Sequence, residues 1–328
     1  MMKSGRFLIL LTIVCMAASG CMRGSAKDET GESIWRDPAV ELPELPEDLN
    51  LGENGVPILK VYDTSQEQII EESLEEYVTG VVAGEMKNDW PLEALKAQAI
   101  LARTFVLKFC EDKTSKYENA DISTDVEEAQ AYSRENINDR VKQAVEETKG
   151  LVMCINGEYP YAWFHAHAGG MTEIPSVALD FKGEDPEYLK PVSSGESSKA
   201  PGNVKNWTAS FSKKEVINAA NDSGIDISEL ESISIGEKGM SGRAKTLVIN
   251  GKSISAPTFR IKIGANKLKS TLIEKIELEG DAVTFSGKGF GHGVGMSQWG
   301  AYAMAEAGNS SEKIVEYYFP NIEIVKMW

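Results

Sequence analysis

The chain has 328 residues, 42% of them apolar and 26% charged, with a formal net charge of −16. That composition is globular and excludes wholesale disorder. The acidic balance argues against a nucleic-acid partner, because phosphate binding draws its affinity from Lys and Arg that displace counterions, and any polyanionic partner would need a locally basic cleft.

In chain order, Lys3 and Arg6 precede an apolar run from Phe7 to Ala18, followed by Ser19 and Gly20. This is the order of a secretory signal over residues 1–21. The run is shorter than the roughly 20 residues that comfortably span a bilayer, which weakens a permanent anchor. Ala18-Ser19-Gly20-Cys21 resembles a bacterial lipoprotein box, with Cys21 the lipidated residue and Ala18 standing where Leu is usual. The expected location is the outer face of the cytoplasmic membrane, or the cell wall after simple secretion. Residues 22–55 are rich in Glu, Asp and Pro and read as an acidic tether spanning about 30 to 35 Å. Outside the leader only Cys110 and Cys154 remain; their spacing fits no metal motif, which leaves two buried thiols or one disulfide.

The folded part begins near Val56 with a strand over Ile58 to Tyr62. Ser73 followed three residues later by Glu76 predicts a capping box opening a helix over Leu74 to Met86. A second helix opens at Asp89-Trp90-Pro91, with Asp89 as cap and Pro91 in the first turn, and runs to about Cys110. Strands over Leu151 to Ile155 and Tyr159 to Ala168 flank the hairpin signal Asn156-Gly157. Beyond about Pro175, a helix over Lys213 to Asn221 mixes with strands over Leu230 to Ile235, Ala244 to Ile249 and Thr258 to Ile263. Helices and strands without regular alternation predict an α+β fold. It is read as two intertwined mixed α/β subdomains flanking a substrate cleft: about 56–175 with 281–328 as the cleft core, and about 176–280 as the second subdomain.

On the first helix Leu74, Tyr77, Val78 and Val81 make one apolar stripe, and a step of about 100° per residue places Glu85 on it. Burial disfavours a charged carboxylate, so Glu85 reads as a proton donor or as a structural acid neutralised by Lys or Arg. On the second helix Lys96 and Arg103 flank the core stripe and are expected to edge the same buried region as Glu85. In the strand over Tyr159 to Ala168, alternation puts Tyr161, Trp163, His165 and His167 on one face, suited to stacking on sugars. His165 and His167 also resemble half of a zinc site, without identifiable further ligands. Near the C-terminus, Gly287, Gly289, Gly291, Gly293 and Gly295 alternate around His292. They match no phosphate-binding loop; they let backbone approach backbone or ligand closely and set His292, Gln298 and Trp299 at a cleft wall.

Together these residues resemble the stage II sporulation protein D family, which includes amidase-enhancer relatives (SpoIID/LytB). The resemblance rests on Tyr77-Val78-x-Gly80-Val81-Val82-Ala83-Gly84-Glu85-Met86, on Trp90 to Ala99 and on Ala102-Arg103-Thr104. It rests also on Phe164-His165-Ala166, Ser241-Gly242-Arg243 and Gly289 to Ala301 with Tyr317-Tyr318, and it runs from about Val56 to the end. The resemblance implies a lytic transglycosylase acting on peptidoglycan glycan strands stripped of stem peptides, with Glu85 catalytic. It also implies Lys96, Arg103, Tyr188 and Tyr317 or Tyr318 as functionally important, with Gln98, Gln130, His165, His292 and Gln298 expected at the substrate. Zinc-carrying members place two cysteines and a histidine before a Gln-x-Tyr; here Ser123, Glu128 and Ala129 stand in that stretch, before Gln130-Ala131-Tyr132, so neither zinc nor another cofactor is expected. His167 and Pro320-Asn321 also depart from the usual pattern. Implied partners are glycan strands, a cell-wall amidase, other engulfment proteins and a membrane at the N-terminus. Two other readings stand beside the enzyme: a non-catalytic wall-binding protein that enhances an amidase, and a metal hydrolase built on His165 and His167.

Overall fold

This computed structural model describes residues 41–328, together with the backbone of two short antiparallel strands, β1 (Ala26–Lys27) and β2 (Ser33–Ile34). The signal, Cys21 and part of the tether lie outside the described residues. Among those described, no helix is long and apolar enough to cross a membrane.

The fold reaches further toward the N-terminus than Val56. Within the stretch expected as tether, Pro43 and Leu49 are buried, Leu42 and Leu45 pack against the core, and β3 (Asn50–Leu51) pairs with β4 (Pro57–Asp63). Leucines spaced among the acidic residues supply apolar surface that the segment's charge and proline content conceal.

β4 runs antiparallel to β5 (Gln68–Ser73) and parallel to β6 (Ile122–Ser123). β5 leads directly into α1 (Leu74–Glu85), where the capping box forms: the Ser73 hydroxyl accepts the Glu76 N–H at 3.2 Å and Glu76 accepts the Ser73 N–H at 2.9 Å. Leu74, Tyr77, Val78, Val81 and Val82 are fully buried, largely against α2 (Leu92–Asp112). α2 begins later than expected, with Pro91 itself at the N-cap and no side-chain cap. The Trp90 N–H bonds the Lys87 carbonyl, so 87–90 is a turn, and proline starts the helix where a donor would be orphaned anyway.

α3 (Asp139–Glu147) packs on both preceding helices and leads to β7 (Leu151–Cys154). Asn156 and Gly157 have φ of 51° and 78°, the conformation of a tight hairpin turn, but only one bridge, Ile155 to Glu158, follows. Of the strand expected over Tyr159 to Ala168, only β8 (Phe164–His165) is regular. That segment pairs instead with the glycine-rich strap 289–295, through a bridge from His167 to Phe290, and with Met296–Ser297, which follow the strap.

α4 (Pro175–Ala178) and α5 (Gly202–Lys205) lead into a second lobe with its own core. It holds β9 (Asn206–Ser212), α6 (Lys213–Asp222), β10 (Ile233–Ile235), β11 (Thr246–Ile249), β12 (Lys252–Ser255), α7 (Ala256–Ile263), β13 (Ile273–Glu279) and β14 (Ala282–Lys288). The strands form two antiparallel sheets, ordered β13-β14-β9 and β10-β11-β12. α7 replaces the strand expected over Thr258 to Ile263: Ser255 accepts the Thr258 N–H at 3.2 Å and Pro257 sits in the first turn, a start signal that overrides the β-branched run. Ala178, Tyr188, Leu189 and Ala200 belong to the first core, so the second lobe spans about 206–288, later than the expected 176–280.

The chain returns through β15 (Met296–Ser297), α8 (Gln298–Glu306), α9 (Ser311–Tyr318) and β16 (Glu323–Lys326). β15 pairs parallel with β8, setting Ser297 opposite His165, and β16 pairs antiparallel with β7. The strap packs backbone on backbone: a Cβ at Gly295 would stand 2.0 Å from the Trp163 carbonyl oxygen, which only glycine avoids. The whole is the mixed α/β architecture the sequence predicts.

Candidate active site

Glu85 is the last residue of α1, and glycines on that helix decide what meets it. A Cβ on Gly84 would lie 2.6 Å from the Ala131 carbonyl carbon and from the Tyr132 nitrogen, and one on Gly80 would strike the Tyr132 ring. Two missing side chains let the segment 129–133 lie on the helix backbone, with the Ser133 N–H on the Gly80 carbonyl at 2.9 Å. The Ala131 N–H thereby reaches Glu85 Oε1 at 2.7 Å. Glu85 Oε2 accepts from Gln298 Nε2 at 3.3 Å, and the same amide reaches Gln98 Oε1 at 3.4 Å.

The carboxyl is half-buried and opens on a cavity of about 390 Å³ lined by residues 83–89 and Asn136, all in the first lobe. Beside Glu85 the lining carries Lys87 and Asp89, one cation against two acids in all, so it is not a basic cleft. Burial pushes the Glu85 carboxyl above the usual carboxylate range, against the opposing pull of the Ala131 and Gln298 donors. Its place at the carbonyl end of α1 works in the same direction, because the helix dipole disfavours negative charge there.

The two cations expected beside Glu85 lie elsewhere. Arg103 is fully buried and grips Glu75 with two bonds, Nε to Oε1 at 3.1 Å and Nη2 to Oε2 at 2.7 Å, while Nη1 donates to the Leu151 carbonyl at 2.8 Å. Glu75 stands at the opposite end of α1, about 15 Å from Glu85 at 1.5 Å rise per residue. Lys96 pairs with Glu93 at 2.9 Å and with Glu147 of α3, and Glu93 also accepts the Ser311 N–H that opens α9. Both cations join helices.

Gln98 and Gln298 do gather at Glu85. Gln130 is buried immediately before Ala131, and neither its amide oxygen nor its nitrogen has a partner; Gln98 Nε2 is likewise unpartnered. The three histidines, His165 and His167 buried and His292 half-buried, form a separate group around the glycine strap. His165 Nδ1 lies 3.1 Å from the Val294 carbonyl, which can only accept, so Nδ1 carries the proton and Nε2 presents an unpartnered lone pair. His167 and His292 have the opposite tautomer, since their Nδ1 atoms accept the Gly169 and Val294 N–H groups, each at 3.0 Å. Burial lowers all three, His165 well below 6.5, His167 to about 4 and His292 to about 3, so the 3.5 Å approach of His167 to Glu196 is not a charge pair. Among the described residues no three His, Cys, Asp or Glu side chains gather as a metal ion would require.

Tyr188 is placed away from Glu85, its hydroxyl accepting the Tyr161 N–H at 2.9 Å. The hydroxyl of Tyr318 meets Ser194 at 3.0 Å and that of Tyr317 donates to the Ser193 carbonyl. Cys110 and Cys154 are free thiols, the former pushed up to about 12 by burial, which closes the disulfide alternative. One buried carboxylate escaped the sequence reading. Glu196 ties the loop after Ser193 to β8 and α8, and within Ser193-Ser194-Gly195-Glu196-Ser197-Ser198 nothing distinguishes it from a solvated loop acid.

A family model described as "Stage II sporulation protein" matches residues 62–154, which include Glu85. Stage II sporulation protein D of Bacillus subtilis (strain 168) is 31% identical over 81% of this chain and 78% of its own length. This chain belongs to the stage II sporulation protein D family. It is also 32% identical, over 80% of the chain and 70% of the relative, to an uncharacterized protein of Brachyspira hyodysenteriae. A protein named "Amidase enhancer" from Bacillus subtilis (strain 168) is 31% identical over 74% of this chain and 39% of its own length. A second model, "Domain of unknown function (DUF8618)", matches residues 196–295 and encloses the second lobe of this family member.

Proposed function

We propose that this protein is a peptidoglycan lytic transglycosylase. It cleaves the bond between N-acetylmuramic acid and N-acetylglucosamine in glycan strands without stem peptides, during sporulation or wall remodelling, and leaves 1,6-anhydro ends. The observation that carries this reading is a carboxyl at an open cavity, shifted by burial toward its protonated form and paired with no cation among the described residues. Glu85 donates its proton to the departing glycosidic oxygen, then takes the proton of the muramic C6 hydroxyl as that oxygen closes on C1. The nucleophile belongs to the sugar, so one carboxyl suffices where most glycoside hydrolases need two. Gln298 and the Ala131 N–H hold the carboxylate between the two transfers. Cys21 as a lipid anchor and an amidase that prepares the strands complete the proposal.

Incubating the purified protein with amidase-treated strands should release 1,6-anhydromuramyl products by mass spectrometry, and Glu85→Gln should abolish them with the fold intact. Reducing ends in place of anhydro ends would make the protein a hydrolase. The likeness to the amidase enhancer favours a second reading, a non-catalytic wall protein that stimulates an amidase. An absence of cleavage products, with a faster amidase in the mixture, would select it.

A further inference from the structure

Glu196 is a buried acid that the proposed reaction does not use. Its side chain is only 7% exposed, and its carboxylate faces three consecutive backbone donors: the N–H groups of Ala168, of Gly169 at 3.1 Å and of Gly170 at 3.1 Å. A fourth donor is the Ser297 hydroxyl at 3.2 Å. Ser297 is also the N-cap of α8, accepting the Gly300 N–H at 3.3 Å, and the residue that follows it is Gln298. One carboxylate therefore joins the turn after β8 to the first turn of α8. The loop that carries it is fastened at Ser193 and Ser194 by Tyr317 and Tyr318.

We propose that Glu196 is a positioning residue for Glu85: by holding Ser297 against the 168–170 amides it fixes the start of α8 and aims the Gln298 amide at the Glu85 carboxyl. The inference rests on the lytic reading only for what Glu85 does, not for how it is held. A hydroxyl that both caps the helix and donates to Glu196 has one orientation, and Gln298 leaves the helix axis from the next residue. Slack of about 1 Å at Ser297 is enough to lose a bond already 3.3 Å long.

The test reads Glu85 directly. In protein labelled with carboxyl-¹³C glutamate, the Glu85 resonance is the one missing from Glu85→Gln, and its titration is followed in Glu196→Gln, Ser297→Ala and Gln298→Ala. Loss of the Gln298 donor removes a bond that favours the charged form, so the Glu85 midpoint moves upward in all three. The double variant Glu196→Gln/Gln298→Ala should move it no further than Gln298→Ala alone, because both act through one bond. A brace that served only the fold would lower the melting temperature and leave the midpoint in place, and that result in folded Glu196→Gln overturns the proposal. If Glu196→Gln does not fold, Ser297→Ala decides alone, since it leaves the three amide bonds intact. On denuded strands, Glu196→Gln should lose turnover by about 10-fold with KM unchanged. A wild-type protein that cuts nothing yet shows the midpoint shifts keeps the positioning role and loses only the lytic one.

Discussion

The two ends of α1 carry the same side chain in opposite chemical circumstances. At the first turn, Glu75 meets the Arg103 guanidinium, the Gly150 N–H at 3.0 Å and the Trp328 indole at 2.9 Å, beside the positive end of the helix. At the last residue, Glu85 has one backbone donor, one long amide bond and an open cavity, beside the negative end. Position along a helix thus separates a carboxylate clamped to a buried cation from a carboxyl whose ionisation burial disfavours.

The contrast is broken most severely at Glu85 itself. Glu85→Gln should cut formation of anhydro products by about 10³-fold, the scale of a lost general acid, measured by mass spectrometry of digests. The wild-type initial rate should fall as pH rises through the raised Glu85 pKa, because the proton to be donated is then gone; a rate that climbs through neutrality would assign the acid elsewhere. At the other end, Glu75→Gln should cost about 3–5 kcal/mol in urea unfolding, since it strands the buried Arg103 charge. Gly84→Ala is expected to cost about 1–3 kcal/mol and to reduce turnover, because the new Cβ drives Ala131 off the Glu85 carboxyl. The smallest effect runs the other way. Glu85→Gln should stabilise the protein by about 1 kcal/mol at pH 8, by calorimetry. A folded pKa above the unfolded one makes the native acid favourable below the unfolded pKa, and that advantage is lost as pH rises through the folded value. The gain should therefore vanish at pH 4.

Much of this was legible in the residues. Ser73 with Glu76 marked the start of α1, the stripe from Leu95 to Phe109 marked α2, and the apolar face of α1 turned Glu85 inward. Helical periodicity fixes an angle around an axis but not a height along a neighbour. It set Arg103 on the correct flank and could not tell that its partner would be Glu75. The strap of alternate glycines announced close backbone approach without saying to what, and the answer, the segment from Trp163 to His167, is distant in sequence. Glu196 left no trace because its donors are main-chain amides, which every residue type supplies.

The pairing of β16 with β7, and the indole of Trp328 on Glu75, give the first lobe a late keystone. Residues 323–328 close the sheet edge at Leu151–Cys154 and add a donor to the carboxylate that grips Arg103, so α1 and α2 are held in place by contacts that span most of the described chain.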